Sequence, residues 1–204
     1  MDPEMTPTIQ QRLSDLDENV RLAALAELLK PDGQPAQFVE DVAASLSHAN
    51  EIVGQLAAVV LGQVAAQGEA GAHAVPALTR ALDESHAKSV RVFAASGLAS
   101  AGASAAPAIE PLCRAMTVPD PKLQFQAAFA LSRIGLPAVP WLRRMLRASD
   151  PAVVAAAADA LGWIGRPAKD SAEDLRSLLS SPDAKIRQSC DAAIEKVAGQ
   201  PAKV

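Results

Sequence analysis

Aromatic residues are scarce in this 204-residue chain: they make up 3% of it, and tyrosine is absent. Since ordinary globular cores take much of their volume from aromatic side chains, this interior must be built from small and aliphatic residues. Half of the chain is hydrophobic, which argues against wholesale disorder. There are only two cysteines, Cys113 and Cys190. They form no CxxC pair, and we expect two buried thiols in a reducing compartment.

Strong charge of either sign is also missing. The net charge is -4 and the pI about 5.4, which weakens a nucleic-acid-binding interpretation but leaves room for a local basic stripe. The first ten residues lack the basic and apolar regions of a signal peptide. No uninterrupted apolar run reaches the roughly 18 residues of a membrane span. We therefore expect a cytoplasmic location and no membrane partner.

Motifs for chemistry are absent as well. His48, His73 and His86 are each followed by alanine, and no HxxxH or CxxC spacing occurs. The glycines of Gln67 to His73 are interpreted as a loop, not a phosphate cradle, and no GxSxG motif is present. The sequence thus predicts no metal, no cofactor and no catalytic residue.

What the chain does contain is a repeat of about 33 residues. Asp120 to Gly135 reads DPKLQFQAAFALSRIG, and Asp150 to Gly165 reads DPAVVAAAADALGWIG. An aliphatic anchor three positions after the aspartate recurs through the chain as Val20, Val53, Val90, Leu123, Val153 and Ile186. Small and aliphatic residues follow four and eight positions later. This spacing predicts one helix per copy, here called helix A, with a single packed face.

The ends of helix A carry matching signals. N-cap residues stand three positions before the anchors, at Asp17, Asn50, Asp120, Asp150 and Asp183, whereas Ala87 departs from the pattern. Glycine stops follow at Gly102, Gly135 and Gly165. Paired alanines four and five positions after the anchors, such as Ala94 with Ala95, allow close helix packing, because a larger residue there would overpack the contact.

A second helix, B, follows each A helix, with aliphatic residues spaced by three and four. Ile9 and Leu13 fit a lone B helix at the start, and a lone A helix closes the array near Ile186. We expect eleven or twelve short helices: five full pairs over residues 9–198 with a half repeat at each end, stacked into one core. Residues 1–8 and 199–204 are expected to be disordered.

The copies resemble HEAT repeats, and more closely the short bacterial subtype called HEAT-like or PBS-lyase HEAT-like repeats. The third copy carries the resemblance at Val90, Arg91, Ala94, Ala95, Leu98 and Gly102. The resemblance implies a right-handed α-solenoid, an α–α superhelix whose B helices line the concave face. Gly54, Gln124 and Val154 replace the arginine after the anchor, so an Asp–Arg ladder between repeats would be interrupted.

Arginines recur at outward positions of the B helices. Arg80, Arg114 and Arg144 share one slot in three consecutive repeats, and the stack would align them in a row. Three further arginines lie close by: Arg143, Arg147 and Arg176. Because arginine suits carboxylate recognition, we expect a non-catalytic scaffold that binds an acidic protein partner in the concave groove. The alternative is that these charges only keep the surface soluble.

Aromatic residues offer further candidates. Trp141 is either a packing residue between repeats or a binding anchor at the groove edge. Phe125 and Phe129, with Val92 one repeat away, should face outward on the convex side. They form either a self-association or partner patch or a packing contact under the next repeat. Trp163 is assigned to contact between repeats, and we expect a monomer or weak dimer.

Two other functions stay open at this point. The subtype is named after lyases that attach bilin chromophores, and such an enzyme would need a pocket around Cys113 or Trp141. A nucleic-acid-binding protein would use Trp141 with Arg143 and Arg144, and its affinity would fall steeply with salt.

Overall fold

A computed structural model describes residues 7–199 as twelve α-helices with no strand. Six long helices correspond to helix A: α2 (Glu18–Leu28), α4 (Glu51–Ala65), α6 (Lys88–Ala101), α8 (Pro121–Ile134), α10 (Pro151–Ile164) and α12 (Ala184–Ala198). Six short ones correspond to helix B: α1 (Ile9–Leu13), α3 (Val39–Ala44), α5 (Val75–Arg80), α7 (Ile109–Met116), α9 (Val139–Met145) and α11 (Ala172–Ser177). Short 3-10 segments connect each A helix to the B helix after it.

The two kinds of helix form two layers. Each long helix packs on the next long helix, from α2 through α4, α6, α8 and α10 to α12, and each short helix packs on the long helix that follows it. The predicted helical repeat solenoid is therefore confirmed, and in residues 7–199 the helices follow one another as α1, five pairs of a long and a short helix, and α12. Thr8, assigned to the tail from sequence, caps α1 through the amide of Gln11. The disorder expected at residues 1–6 and 200–204 lies outside the described residues.

Capping side chains begin the long helices as predicted. The carboxylate of Asp120 accepts hydrogen bonds from the amides of Lys122 and Leu123, at 2.9 and 3.0 Å. Asp17, Asn50, Asp150 and Asp183 make equivalent bonds, while Ala87 makes none. At the far ends, glycines with positive φ, including 82° at Gly135 and 72° at Gly165, turn the chain toward the B helix.

Small and aliphatic side chains fill the core. The anchors Val53, Val90, Leu123 and Val153 are all buried, as are the alanine pairs of α6, α8 and α10. One position differs from the spacing of three and four predicted for helix B: Leu179, which follows Ala172 and Leu175 in that pattern and should be in the core, is 39% exposed. Its side chain has a neighbouring B helix on one side only, because the described chain continues from α11 into α12 and places no further B helix beyond it.

Glycines outside the alanine pairs also let neighbouring long helices approach each other closely. A Cβ atom on Gly62 would stand 3.0 Å from the Cα of Gly97, and one on Gly162 would stand 3.0 Å from the Cα of Ala193. In both contacts, the ninth residue after one anchor meets the seventh residue after the next. The backbones of neighbouring long helices can touch here because no side chain separates them.

The arginine that follows some anchors bonds to the backbone. Arg91 is buried, and its Nε donates to the carbonyl oxygen of Leu82 at 3.0 Å. Arg21 donates to the carbonyl of Asp15, and Arg187 to that of Ser181. Each of these carbonyls lies in the turn that precedes the arginine's own helix. The arginines therefore fasten the B-to-A turn instead of forming an Asp–Arg ladder.

One helical stretch, Lys88–Met116, is long and apolar enough to cross a membrane by length and composition alone. It comprises α6, the following 3-10 segment and α7, with a positive φ at Gly102 between them. Half of its most apolar window is buried inside the protein. Its apolar character is accounted for by the core that these two helices build together.

The glycine contact predicts a sharp sensitivity to side-chain size. Gly62→Val places a branched side chain against the backbone of α6, which cannot move aside without shifting the helix. We expect a loss of about 1–3 kcal/mol in the free energy of unfolding, seen as a lower midpoint in urea unfolding followed by circular dichroism.

Gln63→Val is the matched control. It adds the same β-branched residue to the same helix at an exposed position, where changes usually stay within about 0.5 kcal/mol. Equal midpoints for the two variants would show that α4 and α6 do not depend on this contact.

Candidate functional site

A groove lies on the surface formed by the B helices. It measures about 870 Å³ and runs between α5 and α7, over the turn that follows α5. We call it the B-face groove, and it is lined by Thr79, Arg80, Leu82, Asp83, Glu84, Ser85, His86, Arg91, Pro111, Arg114, Ala115 and Val118. Its size falls in the range of about 300–1,000 Å³ that is usual for ligand sites.

Two of the predicted arginines meet in this groove. Arg80 projects from the last turn of α5 and Arg114 from that of α7, and both side chains are exposed. Arg114 Nη1 also contacts Glu110 Oε1 at 2.8 Å, an i,i+4 pair with both side chains more than 60% exposed. A pair so exposed stabilises the fold little, so the guanidinium can exchange Glu110 for a carboxylate of another molecule at small cost.

The turn after α5 carries the opposite charge. Backbone and side-chain hydrogen bonds from Ser85 hold the pKa of Asp83 below its usual value. Asp83 and the neighbouring Glu84 are both exposed at the groove. His86 Nε2 lies 3.1 Å from Ser47 Oγ, which ties this turn to the preceding repeat. The groove is thus dipolar, with cations along the helices and carboxylates along the turn, and an apolar floor that includes Pro111 and Val118.

Two other predicted arginines are occupied within the protein. Arg143 Nε contacts Asp174 Oδ2 at 2.5 Å, and Arg147 Nη2 lies 3.6 Å from Asp174 Oδ1. Asp174 belongs to α11, the next B helix, and its side chain is only 21% exposed. These contacts join the last two B helices of the stack. Arg143 and Arg147 therefore serve the contact between repeats, a role that their position in the sequence did not reveal.

Trp141 and Arg144 form a unit of their own on α9. The guanidinium carbon of Arg144 lies 5.2 Å from the centre of the Trp141 ring, within cation–π range. The ring is half-buried and packs against the core. Burial raises the pKa of the Cys113 thiol on α7, and the charge of Arg144 opposes part of that rise. Arg176 is exposed on α11 and has no ion pair with any carboxylate of residues 7–199.

The predicted outward pair on α8 is part of a larger aromatic cluster. Phe125 is 53% exposed and Phe129 is 39% exposed, with parallel rings 6.3 Å apart. Trp163 of α10 stands edge-on to both rings, at 5.6 and 6.0 Å. Val92 of α6 is half-buried. Trp163 does contact the neighbouring repeat, as predicted from sequence, and it does so on the outer surface of the long helices.

Both cysteines are free and buried. Burial raises the pKa of the Cys113 thiol to about 11 and that of Cys190 to about 11. Both thiols are therefore protonated at neutral pH and are poor nucleophiles. Cys113 and Trp141 line neither the B-face groove nor the smaller groove on the long helices described below. Within residues 7–199, no group of three or more His, Cys, Asp or Glu side chains is placed to hold a metal ion.

Comparison with known proteins shows a likeness in the second half of the chain. Residues 109–195 match the family model described as HEAT repeats. The matched segment runs from α7 into α12. A search of curated proteins gave no match.

Solved structures extend the likeness to nearly the whole chain. An engineered protein is 22% identical, with a TM-score of 0.61 over 93% of this chain and 95% of its own. A computationally designed armadillo repeat protein for modular peptide recognition is 19% identical, with a TM-score of 0.58 over 92% of this chain and 98% of its own. The CpcE–CpcF complex of phycocyanin lyase from Nostoc sp. PCC7120 is 24% identical, with a TM-score of 0.57 over 83% of this chain and 66% of its own.

At these identities the likeness shows the fold: a helical repeat solenoid of the HEAT and armadillo kind. Solenoids of this kind typically act in protein interaction, because stacked repeats create extended surfaces rather than closed pockets. The fold alone does not specify a partner.

The buried thiols predict a distinct reactivity. Alkylation of Cys113 and Cys190 by iodoacetamide at pH 8 should be much slower in the folded protein than in denaturant, because thiolate is scarce and access is blocked. Their contribution to stability is complete below pH 9.0, the ordinary pKa, and is lost as the pH rises toward about 11.

An exposed cysteine provides the comparison. Ser149→Cys in a background with both native cysteines replaced by alanine should react at the same rate folded and unfolded, since residue 149 is exposed. Native cysteines that react as fast as this exposed one would contradict their burial.

Proposed function

We propose that this chain is a non-catalytic scaffold that binds an acidic segment of a protein partner in the B-face groove. The observation that carries the proposal is the convergence of Arg80 and Arg114, from adjacent B helices, on one groove. Two guanidinium groups in one groove suit a carboxylate side chain better than either does alone, because each donates in a planar fork. The apolar residues that line the groove, including Pro111 and Val118, can contact aliphatic side chains of the same partner segment.

The dipolar charge of the groove supports one orientation of the partner. Carboxylates of the segment belong beside Arg80 and Arg114, while a neutral or basic residue belongs beside Asp83 and Glu84. A uniformly acidic or polyanionic ligand would meet repulsion at the turn. This arrangement favours a protein segment of mixed character over nucleic acid, whose charge is continuous.

The clamp formed by Arg143, Arg147 and Asp174 also supports a binding role. It joins α9 and α11, the B helices that follow the groove along the chain, and helps to hold them in one arrangement. Preorganisation of this kind lowers the ordering cost of binding. A scaffold needs no reactive group, whereas a lyase would need one in the groove. The raised pKa of Cys113 leaves its thiol protonated at neutral pH.

Charge reversal tests the proposal. The probe is a fluorescein-labelled peptide of alternating glutamate and leucine with one terminal lysine, and its binding is followed by fluorescence anisotropy. The double variant Arg80→Glu/Arg114→Glu should raise the Kd at least about tenfold, equivalent to about 1.4 kcal/mol, because two attractive contacts become repulsive.

Arg133→Glu/Arg166→Glu is the matched control, since it makes the same change in net charge at exposed positions outside the groove. It should bind the peptide like the unaltered protein. If both double variants raised the Kd of the peptide equally, net charge alone would explain the effect, and the groove would not be the binding site. Tighter binding of a DNA oligonucleotide than of the peptide, with a steep salt dependence, would replace the proposal with nucleic-acid binding.

A further inference from the structure

The outer surface of the long helices carries a strip of exposed aromatic side chains across three repeats. We call it the A-face strip, and it consists of Phe93 on α6, Phe125 and Phe129 on α8, and Trp163 on α10. Their side chains are between 39% and 53% exposed. They include three of the four phenylalanines and one of the two tryptophans of the chain. So large a share of the scarce aromatic residues on the surface is not explained by core packing.

A groove runs along one side of the strip. It measures about 470 Å³ and lies between α6 and α8. Val92 and Phe93 form its apolar wall, and Gln126 lines it from α8. Gln126 lines the groove, and Phe129 lies three residues further along the same face of α8. The side chains of α8 therefore form a ridge, with the groove on one side and the contact with Trp163 on the other. A groove beside a ridge of this kind can accept the apolar side chains along one face of a docked helix.

The groove is lined by charges of both signs. Lys88 and Lys122 line it, and neither forms an ion pair with a carboxylate of residues 7–199. Asp120 also lines it, but its carboxylate accepts the capping hydrogen bonds of α8. Glu51 lies at the edge and accepts a hydrogen bond from Ser89 Oγ at 2.7 Å. Two lysines are therefore available to a carboxylate of another molecule.

The exposed area limits what the strip can hold. Two-fifths to a half of four aromatic side chains amounts to about 250–430 Å². A stable dimer buries about 800 Å² on each partner, which this strip does not supply. The exposed aromatic area and the groove beside it match a single amphipathic helix, whose apolar face is of this size.

From these observations we propose that the A-face strip and the groove between α6 and α8 form a docking site for an acidic amphipathic helix of a protein partner. The apolar face of that helix covers Phe93, Phe125 and Trp163, and its flanking carboxylates contact Lys88 and Lys122. This site is separate from the B-face groove, which belongs to the other helical layer. The chain then holds two partners, or two segments of one partner, on different surfaces.

Trp163 itself supplies the measurement. In the Trp141→Phe protein, Trp163 is the only tryptophan, so its emission reports directly on the strip. The probe is a synthetic helical peptide with leucine at positions i, i+3, i+4 and i+7 and glutamate on both flanks. Binding should shift the emission to shorter wavelength as the ring loses water, and Phe125→Ser in the same protein should raise the Kd about tenfold or more.

Leu136→Ser is the matched control, because Leu136 is 60% exposed and lies outside the strip and groove. It should bind like the Trp141→Phe parent. The same peptide with lysine in place of glutamate should bind more weakly. Arg80→Glu/Arg114→Glu should leave the shift unchanged, which separates this site from the B-face groove.

Three results would overturn the inference. One is no emission shift at saturating peptide concentrations in a protein that is folded by circular dichroism. Another is equal Kd values for the Phe125→Ser and Leu136→Ser proteins. The third is a dimer in sedimentation equilibrium that Phe125→Ser abolishes and the peptide does not displace, since the strip would then be covered by a second copy of the chain.

Discussion

The structure depends on how closely its long helices approach one another. Where Gly62 meets Gly97, and Gly162 meets Ala193, the backbones are nearly in van der Waals contact. At such contacts dispersion between backbones replaces the interdigitation of large side chains. This explains how a chain with so few aromatic residues builds a continuous core. The buried alanine pairs of α6, α8 and α10 lie beside these contacts, and their small side chains allow close packing further along each helix.

A layer packed in this way decides where the remaining chemistry lies. The long helices are held to one another, so the short B helices are carried at fixed positions and their outward side chains meet across repeats. Arg80 and Arg114 meet at a groove for this reason. Arg143 and Arg147 instead contact Asp174 of the next repeat, Arg143 closely and the exposed Arg147 at 3.6 Å. Arginines at similar positions of their helices thus have different roles, because the next repeat places different residues opposite them.

The solenoid presents two surfaces of different character. The B-helix surface is polar and dipolar around a groove, whereas the long-helix surface is aromatic with lysines at its edge. The likeness to a designed armadillo repeat protein for peptide recognition concerns the fold, and the two surfaces of this chain differ in residues that a shared fold does not dictate. Binding chemistry in repeat proteins varies in this way because each repeat contacts only its neighbours, which leaves the outward positions free to change.

The sequence by itself determined the repeat, the alternation of long and short helices, their caps and the buried faces, because these follow from contacts within one helix or one turn. It also placed Phe125 and Phe129 outward. Only the tertiary structure decided that Trp163 completes an aromatic cluster with them, that Asp174 contacts two of the predicted arginines, and that glycines lie at close contacts between long helices. Those pairings join residues about 30 positions apart. They depend on the rotation and shift between successive repeats, which no pattern within a single repeat specifies.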